Sequence, residues 1–163
     1  AFVTVENYEH LQLVLTEVLG FKLIDAEGSF HLFEVGEGGN GASIIVEHRE
    51  DLPAAQEGYG NVHHLALRVA DEEALRFWIE KINRLEFPNS GFVERFYFKS
   101  EYFLAATHVL FELATDGPGF LEDETYEHAG EKLSLPPFLE PKRAGIEEFV
   151  RPFDTSDANV QRN

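Results

Sequence analysis

Apolar positions along the chain fall into two successive runs with the same layout. Phe2-Val3-Thr4-Val5 reads as a short strand. Leu11, Val14, Leu15 and Val18 follow at helical spacing, with Asn7 placed to cap the helix and Gly20 to end it. Strand candidates come next at Phe21–Ile24, Phe30–Val35 and Ala42–Glu47, separated by glycine-rich turns. The second run opens with the strand His64–Val69. Asp71 is its cap, and Leu75, Trp78, Ile79 and Ile82 are its apolar stripe. Strands are expected near Leu85 and at Phe92–Phe98, Ser100–Leu104 and Val109–Ala114. A shift of 64 residues pairs Val5 with Val69, Asn7 with Asp71, Leu11 with Leu75 and Val18 with Ile82. Such self-similarity marks a repeated unit.

The expected fold is α+β, with tandem βαβββ modules. Each sheet is apolar on its helix side, and the two sheets are expected to meet edge to edge as a half-open, mixed-sheet barrel. The first module spans 1–50. The second spans 58–116 and carries the candidate chemistry. Residues 117–163 form a C-terminal extension with a Pro136-Pro137 loop. A short helix is expected at Glu140–Val150, with Ile146, Phe149 and Val150 on one side, and the last ten residues are expected to fray.

Strand alternation then sorts the side chains by face. His64, Ala66 and Arg68 share the face away from the helix. On the last strand, Leu110 and Glu112 share the corresponding face. A carboxylate there is costly unless it is paired or metal-bound. Phe98, Ser100 and Tyr102 share one face of the preceding strand. With Ala105-Ala106-Thr107 as the hairpin turn, Tyr102 falls across from Leu110, one step from Glu112. A lone strand histidine is more often a packing residue than a ligand; an inward carboxylate on a neighbouring strand raises the metal reading. His10, His31, His48 and His128 are expected to be solvated. His108 shares the face of Glu112 but lies roughly 13 Å along the strand, too far to bind the same ion.

Composition narrows the chemistry. The 163 residues contain no cysteine, so disulfides, thiolate metal sites and cysteine nucleophiles are excluded. Any metal must be held by His and carboxylate, a donor set that suits iron, manganese or zinc. Thirty acids against thirteen bases give a formal charge of −17, which repels nucleic acid and anionic membranes. No apolar run approaches the roughly 20 residues of a membrane helix. No secretory signal is visible, and a cytoplasmic location is expected. The chain has no methionine and opens on a strand, so a processed or cut N-terminus is also expected.

The tandem units resemble the vicinal oxygen chelate superfamily, which includes glyoxalases, bleomycin-resistance proteins and extradiol dioxygenases. "VHHLALRV", "RFYFKSEYF", "LFELATDGPGF" and "GEKLSLPPFLEPKR" resemble the C-terminal half of hydroquinone-type ring-cleaving dioxygenases. The resemblance implies a two-histidine, one-carboxylate Fe(II) site with open positions for a small aromatic substrate and O2. It assigns His64 and Glu112 as metal ligands. It places His63 and Tyr102 near the substrate oxygen, and makes Arg95 a substrate-orienting cation. Mn(II) or Zn(II) are the other metals it allows. Family proteins have four modules and take the first histidine from the N-terminal half. The chain is therefore expected to pair with such a half or to form a homo-oligomer. The turn Leu104-Ala105-Ala106-Thr107-His108 lacks the family's charged, glycine-rich character. Two other readings stand beside the dioxygenase: a glyoxalase-like metal-dependent isomerase or lyase, and a metal-free small-molecule-binding module.

Overall fold

The computed structural model of the chain describes residues 1–56 and 58–151. The expected fraying of the last ten residues falls outside the described residues. The element order is two βαβββ modules followed by an extension. The first module comprises β1 (Phe2–Val5), α1 (Tyr8–Leu13), β2 (Lys22–Glu27), β3 (Phe30–Glu34) and β4 (Ser43–His48). Its helix continues from α1 as a π-helical stretch over Val14–Val18. The second comprises β5 (Leu65–Val69), α2 (Glu72–Arg84), β6 (Val93–Glu94), β7 (Lys99–Ala106) and β8 (Val109–Thr115). In the extension a 3-10 turn at Glu140–Lys142 leads into α3 (Arg143–Phe149).

The caps form as the sequence requires. The Asn7 side chain accepts from the His10 amide at 3.0 Å, and that of Asp71 accepts from the Ala74 amide at 2.8 Å. Gly20 closes the first helix with φ of 78°, a conformation that favours glycine. Leu85 does not start a strand; it caps the C-terminus of α2. The ladder beyond it is short: an Asn89–Phe103 bridge and the two residues of β6. The backbone then leaves the sheet, because Phe96 takes a φ of 72° that a strand cannot continue.

Each sheet is mixed, with the orders β1-β4-β3-β2 and β5-β8-β7-β6. β1 runs parallel to β4 and β5 parallel to β8; the remaining neighbours are antiparallel. Among the described residues no strand of one sheet pairs with a strand of the other, so the sheets are not closed into a barrel. Contact between the modules runs through their helix sides. Leu11, Val14, Phe33 and Val46 of the first module join Leu75, Ile82, Phe103 and Phe111 of the second in one buried cluster. The ammonium of Lys81 crosses the junction to the Val18 carbonyl at 2.5 Å, and its charge lies 4.7 Å from the Trp78 ring centroid.

This arrangement turns the outer faces of both sheets away from the shared core. On the first sheet that face carries Phe2, Phe30, Leu32 and Ile45; Phe2 and Phe30 touch at 6.2 Å between ring centroids, and Phe2 is 57% exposed. α3 is less packed than expected. Phe149 is 91% exposed; the helix is tied at its start by Arg143, which donates to the Leu133 carbonyl at 3.0 Å, while the Arg143–Glu140 and Arg143–Glu147 ion pairs are local to the segment. No described helix is long and apolar enough to cross a membrane.

A core shared by both modules should unfold as one unit. Leu75→Ala should cost about 2–5 kcal/mol, read as a lower urea midpoint. Trp78 fluorescence and far-ultraviolet circular dichroism should give superimposable transitions; two separated transitions would contradict a common core.

Candidate metal centre on the outer face of the second sheet

β8 is buried on its helix side at Val109, Phe111, Leu113 and Thr115. Alternation puts Glu112 on the other face, where it is nonetheless 3% exposed. The register brings three strands into line there: Glu112 pairs with Ala66 of β5 and with Tyr102 of β7. Tyr102 is thus directly opposite Glu112, not opposite Leu110. The correction comes from the hairpin. β7 runs on to Ala106, a bulge absorbs Ala105 between Leu104 and Ala106, and the turn is the two residues Thr107 and His108. His108 takes a φ of 61° in that turn and is exposed beside a cleft of about 290 Å³ between the modules.

His64 lies one residue before β5 and reaches across to Glu112, with Nε2 2.8 Å from Oε2. The other carboxylate oxygen, Oε1, is buried and has no hydrogen-bond partner. An orphaned buried carboxylate oxygen beside an imidazole nitrogen is a half-built cation site: it supplies negative charge and an unused lone pair where solvent does not reach. The donors are nitrogen and oxygen, which fits iron, manganese or zinc. The described residues contain no group of three or more His, Cys, Asp or Glu that could hold a metal. Among the described residues, His64 and Glu112 are the two candidate ligands that this point brings together.

His63 precedes the strand, so strand alternation does not govern it. Its Nδ1 sits 2.9 Å from Nδ1 of His64, with the rings edge to face. A proton must lie between those two nitrogens. A metal on His64 Nε2 needs that nitrogen's lone pair, which moves the ring proton to Nδ1 and makes His63 Nδ1 its acceptor. The Tyr102 ring meets His64 edge to face at 5.3 Å between centroids. The Arg95 guanidinium lies 5.2 Å from the Tyr102 ring centroid and meets no carboxylate among the described residues. All five residues singled out in the sequence are thus linked by direct contacts. Ser100, on the face of Tyr102, is fully buried with an unpartnered hydroxyl.

Of the histidines expected in solvent, His31 has a buried Nδ1, and His48 is only partly exposed beside Glu50. His31 stacks on Tyr8 at 3.9 Å and His48 lies 6.0 Å from the same ring. β3 and β4 point them at α1, because His31 shares its face with Phe33 and His48 shares its face with Val46. His10 and His128 are exposed as expected. The sequence reading passed over Glu101, which alternates with Tyr102 and faces the core; the signal was a second carboxylate one position out of phase in an apolar strand.

No family model matches the chain. It is 46% identical over 91% of its length to a protein of Bacillus subtilis (strain 168) named "Putative ring-cleaving dioxygenase MhqA", covering 49% of that protein. A second protein of that strain, "Putative ring-cleaving dioxygenase MhqO", is 36% identical over 88% of the chain and is covered over 46% of its own length. The chain spans about half the length of the curated relatives it matches. Among solved structures, a "putative dioxygenase from Bacillus subtilis subsp. subtilis str. 168" superposes on 94% of the chain with a TM-score of 0.82 and 34% identity, over 49% of its own length. A glyoxylase/bleomycin resistance protein/dioxygenase domain from Frankia sp. EAN1pec superposes on 71% of the chain with a TM-score of 0.61. At 17% identity, with 93% of the Frankia chain covered, that likeness speaks for the fold.

His64→Ala should abolish binding of Fe(II) or its Zn(II) surrogate in equilibrium dialysis. His63→Ala should retain the metal with an affinity lowered about 10–100-fold. Full metal content in His64→Ala would contradict the ligand assignment.

Proposed function

The chain belongs to the vicinal oxygen chelate (glyoxalase/bleomycin resistance/dioxygenase) superfamily, and from that premise we propose that it forms part of an Fe(II)-dependent ring-cleaving dioxygenase acting on hydroquinone- or catechol-like aromatics. The observation that carries the reading is the His64–Glu112 contact with its buried, unpartnered Oε1, in a chain 46% identical to a named ring-cleaving dioxygenase. His64 Nε2 and the Glu112 carboxylate would hold the ion. When bound, Fe(II) supplies neighbouring open positions for a phenolate and for O2 and lets electrons pass between them.

The chain's own residues do the rest. His63 holds the His64 ring through the Nδ1–Nδ1 contact and sets which nitrogen is free to ligate. Tyr102, directly across from Glu112, offers a phenol that can donate to a substrate oxygen or exchange a proton with it. Arg95 stacks on Tyr102 and brings a positive charge to the side where a phenolate would lie.

The missing ligand is proposed to come from another βαβββ unit, in an N-terminal half of the kind the relatives' length allows or in a second copy. Support comes from the first sheet, whose outer face leaves Phe2, Phe30 and Ile45 in solvent. By register, Leu32 and Ile45 take the places that Tyr102 and Glu112 hold in the second sheet. The first module therefore presents apolar side chains where the second holds Tyr102 and Glu112, which supports reading its outer face as the docking surface. A metal-free binding module is the second reading, favoured by the two-ligand count among the described residues.

Mixing the chain anaerobically with a segment matching the rest of its relatives should raise bound iron to about one ion per complex. Oxygen uptake should then appear with substituted hydroquinones and drop at least about tenfold in Tyr102→Phe. Aromatic binding without metal or oxygen uptake would favour the metal-free reading.

A further inference from the structure

Among the described residues, two acids are buried, and they stand back to back on the β7–β8 pair. Glu112 has His64. Glu101 has nothing: it is fully buried, and neither carboxyl oxygen has a hydrogen-bond partner. It lies between Phe103 on its own strand and Leu113 across the ladder, on the face covered by α2. Its sequence neighbour Tyr102 points the other way, to the ring of His64. Core packing under α2 and the posture of Tyr102 are thus joined through one peptide unit.

We propose that Glu101 is a proton-dependent switch: as a neutral acid it fills the core and holds β7 against α2, and as a carboxylate it opens that contact and shifts Tyr102 on the reverse face. An isolated charge in this position has no counter-ion to stay for. It must recruit water or part the layers, and either movement takes β7 with it. The charged groups on the packed elements are engaged elsewhere or face solvent. On α2, Glu72 binds Lys99 and Arg76, and Lys81 binds the Val18 carbonyl. Glu73, Glu80 and Arg84 of α2, Glu94 of β6, and Glu9 and His10 of α1 are exposed. Glu112 of β8 is on the opposite face.

Burial by itself pushes the Glu101 carboxyl up to about 7. The folded chain therefore keeps a proton that the unfolded chain releases near the usual carboxylate value. The stabilising effect of the neutral acid is complete below that value and is lost as pH rises through about 7. This switch needs neither the metal nor the proposed reaction.

Carbon-13 NMR of the Glu101 carboxyl in the full 163-residue chain tests it, alongside the emission of Trp78, the chain's single tryptophan, which sits on α2. Both signals should titrate with a common midpoint near 7, and the Trp78 change should vanish in Glu101→Gln. A carboxyl midpoint near the ordinary glutamate value overturns the proposal. So does a Trp78 emission that is flat in the native chain, or whose titration survives in Glu101→Gln. Should that variant fail to fold, the two midpoints in the native chain decide: coincidence supports the switch and disagreement overturns it.

Discussion

The pairing of β7 with β8 is the constraint from which the rest of the molecule follows. Both strands are long, central and faced by helix on one side. On that side Phe103, Phe111 and Leu113 lose nearly all their exposure and anchor a core that both modules share. On the other side the same register sets Tyr102 opposite Glu112. Because side chains alternate with a period of two, any slip by one residue would exchange the two sets. It would bury Tyr102 under α2 and expose Phe103, so the packing of the core enforces the geometry of the site.

That economy has a cost in unsatisfied polar groups. Glu101, Ser100 and one oxygen of Glu112 are buried without hydrogen bonds. Native interiors hold few such atoms, since each forfeits its hydration. Three residues on one strand pair make this the least settled part of a well-packed module, and its position beside His64 is the physical reason to look for chemistry there.

The two modules show how one fold can be used twice with different ends. Their strand orders and helix positions match, yet Leu32 and Ile45 stand where Tyr102 and Glu112 would be. Substituting two apolar side chains for a phenol and a carboxylate removes the site without touching the core. What remains is an outer face on which exposed Phe2, Phe30 and Ile45 alternate with the Thr4–Glu47 and Ser43–Glu34 hydrogen bonds.

Much of this was legible along the chain because it depends on local rules. The 64-residue repeat, the caps at Asn7 and Asp71, and the faces of His64 and Glu112 follow from periodicity and from side-chain chemistry. Tertiary structure decided what periodicity cannot express. The two-residue turn at Thr107-His108, with a bulge at Ala105, moved the partner of Tyr102 by two positions, from Leu110 to Glu112, since a hairpin's register depends on turn geometry as well as hydrophobic pattern. His31 turned inward and His48 partly so, toward the ring of Tyr8 on a distant segment. The two sheets remained separate because burial of the helix sides against each other formed the common core, and that choice is made between elements far apart in sequence. The sequence by itself determined which residues carry charge and on which face; only the folded chain decided which of them meet.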